Sequence, residues 1–399
     1  MQAFGAKAEQ TDRDLIRMMI EEGDQLGLPH VALLEGLKSI GVQGKGLSLF
    51  SAASEVRSLQ PYMSHIIDDF TGNNTIWWKL DEGKPKPAWA PAHQAIDYAH
   101  LEGFGPAPEA FEFSADDLAF LIKRNNFEIP DDQRKVIFGL RGCSHAQNLE
   151  LSDWTGKAAL KLSTPDHVTL RCIIGLWDRD SGLVRTFTAS TVPEVCHMFL
   201  YVFKLAGCNL LPTGMYRYKV DTHRATSENP QHGALCEAEN SVVVMRSPTD
   251  LVFNSTDYLE GWQSGRPGDN IHAAHFFGNA EPPRFSSAGC QVIVGSHRGA
   301  EASGPWAQFR SSANFPGGAQ KEFRYVLLTG AEAALASARS SAFDASYNRV
   351  RFGSSGPAAG IIQERLRLSA DNDFRRDSVM ALLRHQKQAG AFRTPIAVV

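Results

Sequence analysis

His272 and Cys290, eighteen residues apart, are the pair in this chain whose types and spacing could do chemistry. They sit in Asn270-Ile271-His272, a fourteen-residue loop from Ala273 to Ser286, then Ser287-Ala288-Gly289-Cys290 and the run Gln291 to Val294. The separation is no helical spacing, so only a tertiary fold can join the two side chains. Once joined, the imidazole accepts the thiol proton and leaves a thiolate, the nucleophilic form of cysteine. Gly289 lets backbone approach closely, so that a substrate carbonyl reaches the sulfur and nearby N–H donors. The bland alternative is a thiol packed as a small hydrophobe beside an ordinary strand histidine.

The order histidine, loop, Ser/Thr-x-Gly-Cys resembles the L,D-transpeptidase (YkuD-like) family, and His272, Ser287, Gly289 and Cys290 carry the likeness. The resemblance implies that Cys290 is the nucleophile and His272 its base, with the backbone carbonyl of Ala273 orienting the imidazole. It calls for no cofactor and no metal. Two departures stand out. Ala288 lies where the family usually has a second histidine, and Val292 lies where it usually has arginine. The first change removes an auxiliary polar group, and the second leaves recognition of a substrate carboxylate unassigned. Ser287, Arg246 and His223 are the expected substrate-binding side chains. Arg246 ends a Val-rich strand with a planar fork suited to a carboxylate, and His223 follows the Tyr216–Tyr218 strand.

Bulk properties narrow the rest. At 399 residues the chain exceeds one ordinary core, so two or three domains are expected. A net charge of −4 advertises no basic face for nucleic acid. No run of eighteen apolar residues offers a membrane span. The start, Met1-Gln2-Ala3-Phe4-Gly5-Ala6-Lys7, lacks the apolar core of a signal peptide. Synthesis in the cytoplasm is therefore expected, with the wall or periplasm reached by lysis or a secretion machine. Cys143, Cys172, Cys196, Cys208, Cys236 and Cys290 form no CxxC pair, which argues against a zinc site or a disulfide scaffold.

The periodicity predicts a multidomain α+β protein. Residues 1–132 read as a mostly α-helical domain of unassigned role, with Ser114 and Asp117 as a capping box for its last helix. Residues 133–332 read as the β-rich L,D-transpeptidase-like domain. Val136–Leu140, His167–Trp177, Leu183–Ser190, Met215–Val220, Asn240–Arg246 and Phe323–Leu328 supply its strands, as a sandwich or open barrel. Residues 350–399 resemble the small three-helix peptidoglycan-binding domain. Gly353, Ser354, Gly356, Ala358, Gln363, Leu366, Leu368, Asp371, Phe374, Ala381, Gln386 and Gly390 carry that likeness.

The two resemblances imply one polymer. The expected function is a cysteine enzyme acting on peptidoglycan stem peptides through an acyl-enzyme, with water or an amine as the second acceptor. A non-catalytic wall-binding or virion-structural protein on the same fold is the rival. An NlpC/P60-type amidase fits poorly, because there the cysteine precedes the histidine.

Overall fold

The strand-forming stretches run β1 (Ala110–Ser114), β2 (Lys135–Arg141), β3 (Cys143–His145), β4 (Lys157–Leu162), β5 (Cys172–Asp178) and β6 (Leu183–Ser190). They continue through β7 (Asn209–Leu210), β8 (Gly214–His223), β9 (Gln231–Glu237), β10 (Val242–Arg246), β11 (Trp262–Gly265) and β12 (Ile271–His275). The last are β13 (Gln291–Arg298), β14 (Glu301–Ser303), β15 (Glu322–Thr329), β16 (Arg349–Val350) and β17 (Ala397–Val398). Among them sit α1 (Ala115–Arg124), α2 (Gly304–Ser312), α3 (Gly330–Ser337), α4 (Pro357–Arg365) and α5 (Arg376–Gln388). These positions come from a computed structural model, which describes residues 100–399 with breaks, the longest at 195–207, 247–260 and 276–284. The helices expected before residue 100 lie outside the described residues.

Eight strands pair in the order β12-β9-β8-β15-β2-β5-β6-β13, and β13 pairs back onto β12 to close a barrel. Closure removes the sheet edges, with β14 added outside on β13. Two of the pairings, β15–β2 and β12–β13, are parallel. Period-2 alternation sends neighbouring residues to different cores. Ile137, Ile174, Leu176, Tyr325 and Leu327 enter one cluster; Val136, Phe138, Ile173, Val326 and Leu328 enter another with α1 and α3. Tyr325 crosses the barrel, its hydroxyl donating to Gln291 Oε1 at 3.1 Å. A Cβ on Gly139 would collide with that phenol, so only glycine leaves the room.

The expectation of a multidomain α+β protein with an α-helical N-terminal domain is overturned. The described residues are mostly β, a barrel with five helices around it. The local reading of α1 was sound: the Ser114 and Asp117 side chains form a reciprocal capping box. Its burial partners, however, belong to the sheet. Leu118 and Leu121 pack with Phe113 and with Phe138, Leu140 and Val326 of the barrel. The residues after 350 are corrected likewise. Among the described residues they form two helices and the short β16–β17 pair, not three helices around a core of their own. Ile362, Val379 and Leu382 share a cluster with Ile137 and Tyr216, and Phe352 stacks on Tyr216 with ring centroids 4.7 Å apart.

Candidate active site

Parallel pairing of β12 with β13 joins the two halves of the sequence motif. Ile271 lies opposite Gln291 and His272 opposite Val292, so Cys290 enters the strand beside the histidine. Gln291 N–H donates to the Asn270 carbonyl at 2.8 Å, fixing that register at the cysteine. The turn before it is held by side chains. Ser287 Oγ donates to the Cys290 carbonyl at 2.6 Å and accepts from Gly289 N–H at 3.1 Å. Gln291 Nε2 donates to the Gly289 carbonyl at 2.9 Å. Ser287 is thus buried within the turn it shapes. Gly289 has φ +143°, and a Cβ there would meet the Asp269 carboxylate and lie 2.8 Å from Asn209 Cβ. That backbone region and that lack of space both demand glycine.

His272 is buried, and its Nδ1 lies 2.7 Å from the Ala273 carbonyl oxygen. A carbonyl only accepts, so Nδ1 carries the proton and Nε2 is the ring's basic nitrogen. His223, at the end of β8, stacks on it with centroids 4.1 Å apart and planes 16° apart. A register shift between Asp221 and Thr222 precedes it in the β8–β9 pairing. Cys290 is half-buried, its Sγ 3.7 Å from the Gly268 carbonyl. One ring nitrogen of each histidine and Cys290 Sγ lie within 4.8 Å of one another. By type these three atoms could hold a soft metal ion. The hydrogen bond between Asn270 Nδ2 and His223 Nδ1, 2.9 Å long, fits proton chemistry better: it gives Nδ1 the acceptor role, so Nε2 bears hydrogen rather than a lone pair.

The electrostatics describe a resting pair in its neutral form. Burial, then the neighbouring Asp269 carboxylate, push the Cys290 thiol far up. Burial, then His223, hold His272 well below the ordinary imidazole value, and burial lowers His223 to about 4. Two acids share this region. Burial, then Asp269, raise Glu237 to about 8. Burial raises Asp269 to about 7, against the hydrogen bond from Asn209 Nδ2.

These shifts set a pH dependence of stability. Above about pH 7.5 the histidines are neutral in both folded and unfolded chains and drop out. Glu237 and Asp269 are then ionised when unfolded, while the folded chain still holds a proton on them, chiefly on Glu237. The native state therefore binds more protons, and stability falls as pH rises from 7.5 to 8.5. Urea midpoints at pH 7.5 and 8.5 check this: the second is expected lower, and Glu237→Gln should flatten the slope.

Arg246 ends β10, donates from Nε to Gln263 Oε1 at 3.1 Å, and meets Asn209 Oδ1 through Nη1. Asn209 in turn donates its N–H to the Ala288 carbonyl at 2.7 Å. Arg246 thus reaches the cysteine turn through Asn209. Val292, in place of the expected arginine, packs with Leu170, Ala274 and Phe285. Sequence reasoning passed over Asn209, Asp269, Asn270 and Gln291 as site residues. Asn270, polar at the mouth of an apolar strand and two residues before the base, carried the one readable signal. No family model matches the chain, and no curated protein or solved structure matches it either.

Proposed function

We propose that this chain is a cysteine enzyme of the L,D-transpeptidase type that acts on peptidoglycan stem peptides. Cys290 Sγ attacks an amide carbonyl next to a D-centre while its proton passes to His272 Nε2. The tetrahedral adduct collapses, the leaving amine takes that proton, and an acyl-enzyme remains on sulfur. Water then completes carboxypeptidase or endopeptidase cleavage, or an amine completes transpeptidation. The hydrogen bond from His272 Nδ1 to the Ala273 carbonyl carries the reading, because it makes Nε2 the basic nitrogen of a ring that lies within 4.8 Å of the thiol by one of its nitrogens. Among the described residues no helix is long and apolar enough to cross a membrane.

Mass spectrometry of purified muropeptides after incubation with wild type and with Cys290→Ala tests the reading. The expected result is loss of a terminal residue, a split crosslink or a new crosslink, present only with wild type, together with an acyl adduct on Cys290. Identical spectra from the two proteins would hand the molecule to the rival reading, a wall-binding protein without turnover.

A further inference from the structure

We propose that His223 is a third catalytic residue, donating an Nε2–H hydrogen bond to the Cys290 sulfur as the thiol gives its proton to His272. The inference rests on the Cys290–His272 reading and adds to it a group on a different strand.

Glu237 N–H donates to Asn270 Oδ1 at 2.9 Å. A backbone N–H cannot accept, so the amide orientation of Asn270 is fixed and its Nδ2 is the end that meets His223 Nδ1 at 2.9 Å. His223 Nδ1 must then present a lone pair, and in the neutral ring the hydrogen goes to Nε2. The neighbouring ring has the opposite arrangement, because the Ala273 carbonyl draws the hydrogen of His272 to Nδ1. The rings are nearly parallel and in contact, and a nitrogen of each shares a 4.8 Å neighbourhood with Cys290 Sγ. With each Nδ1 engaged by these bonds, the proposed arrangement gives the sulfur a lone pair from His272 and an N–H from His223.

The surroundings explain why a donor is needed. Asp269 is buried and its Oδ2 has no hydrogen-bond partner, and Glu237 lies in the same region. A thiolate formed beside these acids has little to balance its charge and is stabilised by a donated hydrogen bond. In the step itself the S–H bond breaks, the proton goes to His272 Nε2, and the sulfur lone pair forms the S–C bond. His223 keeps its proton throughout.

The experiment measures alkylation of Cys290 by iodoacetamide from pH 6 to 9, read by peptide mass spectrometry, in wild type, His223→Phe and Asn270→Asp. Phenylalanine keeps a flat ring in the stack but has no N–H. Aspartate can accept from both Glu237 N–H and His223 Nδ1–H, which reverses the His223 tautomer while leaving both rings in place. Each variant should react at least tenfold more slowly than wild type, and ¹⁵N shifts of His223 should show its hydrogen moving from Nε2 to Nδ1 in Asn270→Asp. Rates within twofold of wild type, with the tautomer reversed, would overturn the donor role and leave His223 as packing. That failure is distinct from failure of the enzyme reading, which the muropeptide comparison with Cys290→Ala decides separately.

Discussion

On the proposed mechanism, His272→Gln should lower kcat/KM for a muropeptide about a thousandfold at pH 7, the middle of the range for loss of a positioned general base. The shape of its pH profile is as telling as the size of the loss. The wild-type base is held well below the ordinary imidazole value, so its rate stays flat on the acid side to well under pH 6.5. Glutamine fills much of the same space but cannot take the thiol proton, and hydroxide becomes the only acceptor for a thiol that burial and Asp269 hold far up. The variant's rate should then climb about tenfold per pH unit between pH 7 and 9, narrowing the gap to wild type. A preformed thiolate–imidazolium pair would behave differently, losing activity on the acid side near neutrality and gaining little from added base. Turnover of a muropeptide substrate across pH 5 to 9 separates the two.

Local chemistry was readable in the sequence where its cause is local. Alternation along Leu183–Ser190 marked β6, and the Ser114–Asp117 box marked the start of α1, because side-chain period and capping depend on residues a few positions apart. The pairing of His272 with Cys290 was readable for a different reason: two reactive types bracket a loop with serine and glycine in place. Barrel closure was not readable, since it depends on β12 finding β13 in parallel across that loop. The same limit hid the stacking of His223, expected only as a substrate-binding side chain, on His272, 49 residues away. It also produced the error in fold class. Helical periodicity in α1 and α4 gives a buried face but not its partner, and here Phe138 and Tyr216 supply it from the barrel.

Arg351→Met should destabilise the whole described structure by about 3–5 kcal/mol, the usual cost of stripping one partner from a buried ion pair. Arg351 is wholly buried, its Nη2 paired with Glu332 Oε1 and its Nη1 donating to Thr213 Oγ1 at 2.8 Å. Glu332 is equally buried. Its Oε2 caps α3 by accepting from Thr329 N–H at 3.1 Å, and Oε1 lies 3.1 Å from His100 Nε2. Burial alone would raise the Glu332 carboxyl; Arg351 and His100 outweigh it and hold it well below the ordinary value. Its contribution is therefore present above the unfolded pKa and is lost as pH falls through the depressed one. Methionine keeps most of the arginine's apolar stem and removes the charge, leaving His100 and the α3 cap as the remaining partners of a buried anion. The double variant Arg351→Met/Glu332→Gln should recover a large part of the loss, because the anion goes with its partner. Urea unfolding of all three proteins supplies the numbers, and the form of the transition supplies the rest. One cooperative step that shifts as a unit is expected, since the segment after residue 350 shares its core with the barrel. A separate early step confined to α4 and α5 would mean that the shared core does not couple them.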